Sequence, residues 1–231
     1  MFKILLTPWC ANSIAPVDST FTEDIESKDP YNKPVYKNDW FNYVPIRMGK
    51  SIPLTDKYKL PSHLYWICSN IKKLELDFYS HSKGIILSHA FFYFLKQFKC
   101  CDKYEIAEIT PLSRKLTSIS DKKYVFIRFT DLSFEKFVDL EKSDKIRRKN
   151  KVIAQYLYLN FSLKDFDVSP DIFWMKNRLI AKEQVGELIN EKGFLGLKML
   201  NLKDFADEYI FRDMHPYPTL NEMKKRDKIW F

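Results

Sequence analysis

The chain has 231 residues and a formal net charge of +8 at pH 7, and 45% of its residues are hydrophobic. This composition excludes a disordered chain, and the length allows a buried core without disulfides or metal ions. The positive charge suits an acidic protein, a nucleic acid or an anionic membrane surface, but it is equally common in proteins without such partners. No window approaches the roughly 18 apolar residues of a membrane span, and no secretory signal pattern is present. We therefore expect a folded cytoplasmic protein that makes no use of a membrane.

The cysteines and histidines do not form a metal-binding pattern. Neither a C-x-x-C pair nor a zinc-ligand spacing occurs when both residue types are considered together. We expect reduced structural thiols, no metal and no cofactor. The four cysteines are Cys10, Cys68, Cys100 and Cys101.

Strands and loops are predicted for the first part of the chain. FKILL at 2–6 is typical of a strand, and the acidic, turn-rich residues 16–34 are typical of a surface loop. Aromatic residues and prolines alternate over 35–66, which predicts short strands interrupted at Pro45, Pro53 and Pro61.

The middle of the chain has clearer periodicity. Apolar and charged residues alternate over 72–79, which predicts a half-buried strand. Phenylalanines at helical spacing predict a helix over 88–99 with Ser88 as its N-cap. Strands are predicted at 104–110 and 123–130.

A basic segment at 142–151 carries a net charge of +5 and precedes a predicted strand at 152–161. A solvated loop between two strands is the simplest interpretation, and a contact surface for an acidic protein is the second. Nucleic-acid binding is a weaker alternative, because the segment lacks aromatic side chains for stacking on bases.

The segment RLIAKEQVGELINEKGFLGLKML, at 178–200, repeats the pattern found near residue 85. At an offset of 94 positions, strand, helix and returning strand correspond in the two places. This favours two related strand–helix–strand units, with the second helix over 182–191. Gly193 is placed to end that helix in a left-handed conformation, and Gly196 predicts a bulge or a close neighbour.

The chemical motifs that would indicate an enzyme are missing from the sequence. It has no glycine-rich phosphate loop, no H-E-x-x-H and no G-x-S-x-G. Asp139, Glu141 and Lys142 could hold a metal ion against a phosphodiester, but such triples are frequent in charged segments. Ser88 and His89 do not face each other on a helix. No catalytic residue is predicted.

Four segments between about residues 70 and 205 resemble a known family: LDFYSHSKGIILSHAFFYFLKQF, YEIAEITPL, KYVFIRFTDL and DIFWMKNRLIAKEQVGELINEKGFLGLKML. They are similar to the predicted immunity proteins of bacterial polymorphic toxin systems. Lys182 stands where that group usually has a small hydroxyl residue. The late signature of the group falls here on Ile172, Phe173, Ile180, Val185, Ile189, Gly193 and Gly196.

The resemblance implies a cytosolic protein that binds and neutralises a cognate toxin without catalysis. Immunity proteins against basic nuclease toxins are usually acidic, so a charge of +8 implies a toxin that is acidic or neutral at the interface. The candidate contacts are the basic segment and the aromatic end of the chain: Lys142, Lys145, Arg147, Arg148, Lys149, Lys151, Trp230 and Phe231.

The predicted fold is therefore α+β, with a mixed or antiparallel sheet and a few packed helices. We expect one domain over 1–231, with 1–135 and 150–231 as the alternative sub-units. Two other functions remain open: a basic nucleic-acid-binding or nuclease-like protein, and an adaptor or structural protein of a secretion or phage system.

Overall fold

The computed structural model describes residues 2–6, 23–27, 39–49, 51–69, 71–81, 83–143, 145–147, 156–158, 161–164, 170–175 and 178–202. These ranges contain strands and short helices, which confirms the predicted α+β class. The strands are β1 (Phe2–Leu6), β2 (Glu23–Glu26), β3 (His63–Cys68), β4 (Phe78–His81), β5 (Gly84–Ser88), β6 (Lys103–Ser113), β7 (Tyr124–Asp131), β8 (Val138–Asp139), β9 (Lys145–Arg147), β10 (Tyr156–Tyr158), β11 (Ser162–Leu163), β12 (Ile172–Met175), β13 (Arg178–Lys182) and β14 (Lys198–Asn201). The α-helices are α1 (Asp39–Asn42), α2 (Pro45–Met48), α3 (His89–Leu95), α4 (Phe134–Phe137) and α5 (Glu183–Lys192), and Asp56–Tyr58 forms a 3-10 turn.

Two larger sheets organise the described strands. The first has six strands in the order β2-β3-β6-β7-β5-β4, and the second has four in the order β12-β13-β1-β14. Neighbouring strands are antiparallel throughout both sheets, except that β3 and β6 are parallel. Two small ribbons, β8 with β11 and β9 with β10, accompany them. The mixed, mainly antiparallel pairing agrees with the prediction.

A hairpin followed by a helix occurs twice, and the two copies correspond 94 positions apart. In the first unit β4 and β5 pair with Phe78 opposite Leu87, and in the second β12 and β13 pair with Ile172 opposite Ala181. Each hairpin leads directly into a helix, α3 or α5. The second strand of each hairpin also pairs with a third strand. This third strand is β7 in the first unit and β1 in the second, so it comes from a different part of the chain in each unit.

The two units hold each other through aspartates that precede the hairpins. Asp77 accepts a hydrogen bond from the Leu195 backbone N–H, beyond α5, at 2.9 Å. Asp171 accepts one from the Lys99 backbone N–H, beyond α3, at 3.0 Å. In return, the Asp77 N–H donates to the Leu195 carbonyl at 2.8 Å, and the Asp171 N–H donates to the Lys99 carbonyl at 2.9 Å. The exchange is reciprocal, as in a pair of subunits related by a twofold axis.

Both faces of the six-stranded sheet are covered by apolar side chains. One buried cluster combines the phenylalanines of α3 with Val125 and Ile127 of β7 and with Ile172, Trp174 and Leu179 of the second unit. A second cluster, on the opposite face, gathers Trp40, Trp66 and Phe126. The first cluster therefore includes side chains from both hairpin–helix units.

A buried arginine attaches the segment containing α1 and α2 to the six-stranded sheet. Arg128 of β7 donates to the carbonyls of Trp40 and Tyr58, both at 2.6 Å, and to the Glu105 carboxylate, also at 2.6 Å. Glu105 in turn accepts the Leu60 N–H at 2.9 Å. The buried charge is thus paired and fully hydrogen-bonded, as burial requires.

Several local predictions for the first eighty residues are wrong. The acidic stretch 16–34 contains β2, which adds to β3 as an edge strand. Within 35–66, α1 and α2 are helical where short strands were expected, whereas β3 begins at His63 and is one of the predicted short strands. Pro45 occupies the first turn of α2, where its missing N–H costs nothing. Within 72–79, strand hydrogen bonding begins only at Phe78, the first residue of β4. The predicted alternation of burial does hold, because Leu74 and Leu76 are buried.

The helices begin and end with the expected signals. The Ser88 side chain accepts the Phe91 N–H at 3.2 Å, and Gly193 ends α5 in the left-handed conformation at φ 66°. α3 ends at Leu95, four residues earlier than predicted. Among the described residues, no helix combines the length and hydropathy that a membrane crossing requires.

Candidate functional site

The described ranges include only part of the predicted basic contact. Lys142 lies in the turn after β8, and 80% of its side chain is exposed. The backbone of Lys145 and Arg147 lies in β9, paired with β10. The remaining predicted contacts lie outside the described residues: Arg148, Lys149, Lys151, Trp230 and Phe231.

Asp139, considered above as a metal ligand, stabilises the turn that presents Lys142. Its Oδ1 accepts the backbone N–H groups of Glu141 and Lys142, each at 3.1 Å. These hydrogen bonds, that of Lys142 first, lower the pKa of the Asp139 carboxyl. Across the described part of the chain, no three His, Cys, Asp or Glu side chains are grouped to hold a metal ion. Asp139 therefore acts as a turn residue in this structure.

The pair Ser88 and His89 also has structural partners. Ser88 is buried and caps α3. The His89 Nε2 lies 2.8 Å from Glu108 Oε2 on β6, and its ring meets Tyr93 edge-on at 5.8 Å. These contacts agree with the expectation that Ser88 and His89 do not act together.

A groove runs between α3 and the neighbouring strand β6, and we call it the α3–β6 groove. On the helix side His89, Tyr93 and Lys96 follow one another at spacings of four and three, which places them on one face. On the strand side Glu108 and Ile106 point to the sheet face that α3 covers over β5 and β7. The His89–Glu108 contact closes one end. The groove is therefore lined by helix and strand side chains facing each other.

Two large apolar side chains are exposed in this groove. Tyr93 is 61% exposed and Ile106 is 44% exposed. On the neighbouring strand β7, Ile127 pairs with Ile106 and is buried under α3. The sheet face thus extends beyond α3 at the exposed Ile106.

A cavity of about 500 Å³ lies at the other end of the groove, where the two hairpin–helix units meet. This volume falls in the range of sites that hold a small molecule or a partner's side chain. Its walls come from α3, from the sheet beneath it and from β12 of the second unit. Its apolar lining includes Leu87, Phe92, Leu95, Phe98, Tyr104 and Trp174.

Asp102 and Cys100, two polar residues of the cavity lining, already have partners. Asp102 accepts the Ser133 N–H at 2.6 Å through Oδ1 and the Trp174 N–H at 2.7 Å through Oδ2. The Cys100 thiol donates to the same Oδ2 at 3.5 Å, and burial raises the pKa of Cys100 to about 12. The thiol therefore stays protonated near neutral pH, and no free charge points into the cavity from these residues.

Lysines stand at the rim of the cavity. Lys96 directly follows α3, with its Nζ 6.0 Å from the centre of the Phe92 ring, and Lys103 begins β6. Both are exposed. Within the part of the chain that the structure describes, neither ammonium group lies within 4.0 Å of a carboxylate. The mouth of the cavity is therefore positively charged around an apolar interior.

The sequence alone did not indicate this groove. Tyr93, Ile106 and the two lysines are ordinary residues of a predicted helix and a predicted strand, and only the fold brings them together. One signal was available: Tyr93 interrupts the four phenylalanine and leucine residues of α3, and Lys96 follows them directly, which marks the outward face of the helix.

Comparison with known proteins supplies the family. No curated protein matches the chain. The model of the family described as immunity protein 43 matches residues 13–212, which is most of the 231 residues. The match includes both hairpin–helix units, the groove and the basic segment. The chain therefore belongs to the immunity protein 43 family, one of the immunity protein families of polymorphic toxin systems.

Proposed function

We propose that this protein binds a cognate toxin and neutralises it by stoichiometric binding, without catalysing a reaction. The observation that carries the proposal is the family match over residues 13–212. The toxin and the immunity protein would meet in the cytoplasm of the cell that makes both.

Three polar side chains of the described region have structural roles, which supports binding over catalysis. Ser88 caps a helix, Asp139 holds a turn and Asp102 joins three segments of backbone. These three groups stabilise the fold, and we assign them no part in a reaction.

The basic segment is the first candidate contact with the toxin. Lys142 lies in a turn whose backbone Asp139 fixes, and its exposed ammonium group lies 3.7 Å from Asp139 Oδ2. A toxin that is acidic or neutral at the interface would be attracted to this segment, and its association would slow as salt screens the charges. Reversing Lys142 to Glu should reduce the association rate, with a smaller change in the dissociation rate.

Co-expression with the toxin domain encoded beside this chain tests the proposal. Cells that express the toxin domain alone should stop growing, and cells that also make this protein should grow. Mixing the two purified proteins should give a 1:1 complex by light scattering. If cells are not rescued and no complex forms, while the protein shifts mixed oligonucleotides on a gel, the nucleic-acid alternative replaces the proposal.

A further inference from the structure

The cavity in the α3–β6 groove favours an apolar occupant. Two polar residues of its lining, Asp102 and Cys100, are hydrogen-bonded to each other and to backbone, and the charged lining residues Lys96 and Lys103 are exposed at the rim, so a charged group would find its partners at the mouth rather than among the apolar side chains. An aliphatic or aromatic side chain would instead be surrounded by Phe92, Leu95 and Trp174. A volume of about 500 Å³ exceeds a single large side chain and leaves room for a neighbouring residue or water.

The rim adds a charge preference to this apolar site. Lys96 and Lys103 flank the mouth, and neither is paired with a carboxylate among the described residues. A partner that inserts an apolar side chain would place its neighbouring residues beside these ammonium groups. A carboxylate there would be attracted, whereas a lysine or arginine would be repelled.

The exposed side chains extend the surface from the cavity toward His89. Ile106 and Tyr93 are among the few large apolar side chains exposed in the described region. Interfaces of specific complexes are built around such anchors, with aromatic residues over-represented and polar groups at the rim. The groove thus offers an apolar centre, a basic end and the His89–Glu108 pair at the opposite end.

We propose that the α3–β6 groove is where the toxin docks, with an apolar side chain of the toxin in the cavity and an acidic residue of the toxin beside Lys96 and Lys103. This proposal rests on the toxin-binding function proposed above. It assigns the toxin a short motif that combines an apolar and an acidic residue.

The test compares two matched substitutions of exposed aliphatic residues. Ile106→Glu places a carboxylate in the groove, and Leu188→Glu places one on α5, where Leu188 is 40% exposed and lies outside the groove. The affinity of each variant for the toxin domain encoded beside this chain is measured by isothermal titration calorimetry. We expect Ile106→Glu to weaken binding by at least about 30-fold, and Leu188→Glu to stay within about 3-fold of the unmodified protein.

A charge-reversal variant examines the basic rim. Replacing Lys96 and Lys103 together by Glu should weaken toxin binding about 10-fold or more and flatten its dependence on salt concentration. Both lysines are exposed, so the variant should keep the unfolding midpoint of the unmodified protein. Unchanged affinity in this variant and in Ile106→Glu would overturn the docking site while leaving toxin binding itself intact.

Failure of the unmodified protein to bind or to protect cells would instead remove the proposed function. Two other occupants of the groove give different results. A dimer of the unmodified protein that Ile106→Glu converts to a monomer would assign the groove to a second copy of the chain. An unfolding midpoint of Ile106→Glu far below that of Leu188→Glu would assign it to a segment of the chain itself. Either result would overturn the docking site.

Discussion

The two hairpin–helix units share a backbone plan but differ in almost every side chain that supports it. Strand positions, hairpin register and the aspartate before each hairpin coincide. The helix caps, the burial of the aspartates and the strand that completes each sheet do not. Hydrogen-bonded geometry is therefore what the two units have in common, while their packing differs.

The two aspartates show the difference most clearly. Asp77 is only 7% exposed and its carboxylate also accepts Lys122 Nζ at 2.7 Å. Asp171 is 33% exposed and pairs with Lys182 at 2.9 Å. A hydrogen bond to a buried charge stabilises a fold more than an ion pair open to solvent. The reciprocal exchange is therefore unequal in energy although it is similar in geometry.

Replacing each aspartate by alanine should expose this inequality. Asp77→Ala leaves the Leu195 N–H without its partner and should lower the free energy of unfolding by about 3 kcal/mol. Asp171→Ala should lower it by about 1 kcal/mol, because water can replace much of what is lost. Urea unfolding followed by tryptophan fluorescence measures both, and equal losses would contradict the comparison.

The same curves bear on domain organisation. We propose that residues 1–231 fold as one domain, because one buried cluster contains side chains of both units. A single transition in both variants supports this proposal. Two separate transitions would favour independent sub-units at 1–135 and 150–231.

Two glycines after α5 adopt positive φ for different reasons. Gly196 lies in close contact with the first unit, whereas Gly193 does not. A Cβ at Gly196, at φ 88°, would lie 2.6 Å from the Phe78 carbonyl oxygen of the first unit. Gly196→Ala should therefore cost about 2 kcal/mol or more. A Cβ at Gly193, at φ 66°, would meet nothing within 4 Å, so Gly193→Ala should cost only about 1 kcal/mol from the left-handed backbone. Thermal unfolding of the two variants checks the order, and a larger loss at Gly193 would reverse the interpretation.

Substitutions of the N-cap residues of α3 and α5 test whether capping differs between the units. Ser88→Ala removes the acceptor for the Phe91 N–H and should cost about 1 kcal/mol. Lys182→Ser, at the corresponding position, should add a cap of similar strength to α5 but remove the ion pair to Asp171. We expect its net effect on the free energy of unfolding to stay within about 0.5 kcal/mol. Chemical denaturation provides the values, and a loss of more than 1 kcal/mol in Lys182→Ser would contradict them.

The smallest expected effect is a pH dependence of stability that arises at Asp171 of the second unit. The Lys182 ammonium, and next the Lys99 N–H, hold the pKa of Asp171 below its usual value. A carboxyl whose pKa is lower in the folded state contributes stability above its unfolded pKa of about 4, and this contribution is lost as the pH falls through the folded value. The stability difference between the unmodified protein and Asp171→Asn should therefore shrink from pH 5 to pH 3. A constant difference would show that the ion pair contributes nothing.

The periodic parts of the sequence predicted the fold well. Ser88, the phenylalanines of α3 and Gly193 are local signals, and the structure confirms the helix starts and ends that they indicate, apart from the earlier end of α3. The correspondence between the two units was also visible, because hairpin and helix patterns recur at a constant offset. Local hydrogen bonding and amphipathic periodicity explain this success.

The segment before residue 66 could not be predicted in the same way. Its two helices have four residues each, and they are held in place by Arg128, a residue of β7 far along the chain. Tertiary contacts of this kind override local preference and leave no periodic signal. The α3–β6 groove was missed for the same reason, because its walls come from separate elements.

The place of β1 in the second sheet has a consequence for the order of folding. Ile4 pairs with both Ile180 and Leu200, so β1 must wait for a partner almost two hundred residues away, whereas β5 finds β7 about forty residues on. At about 5–20 residues per second, synthesis separates β1 from its partners by roughly 10 to 40 s, but β5 from β7 by only a few seconds. The first unit can therefore form on the ribosome while the second unit remains incomplete. Through that interval an apolar strand stays unpaired, and this nascent chain is the form most exposed to aggregation and to chaperone binding.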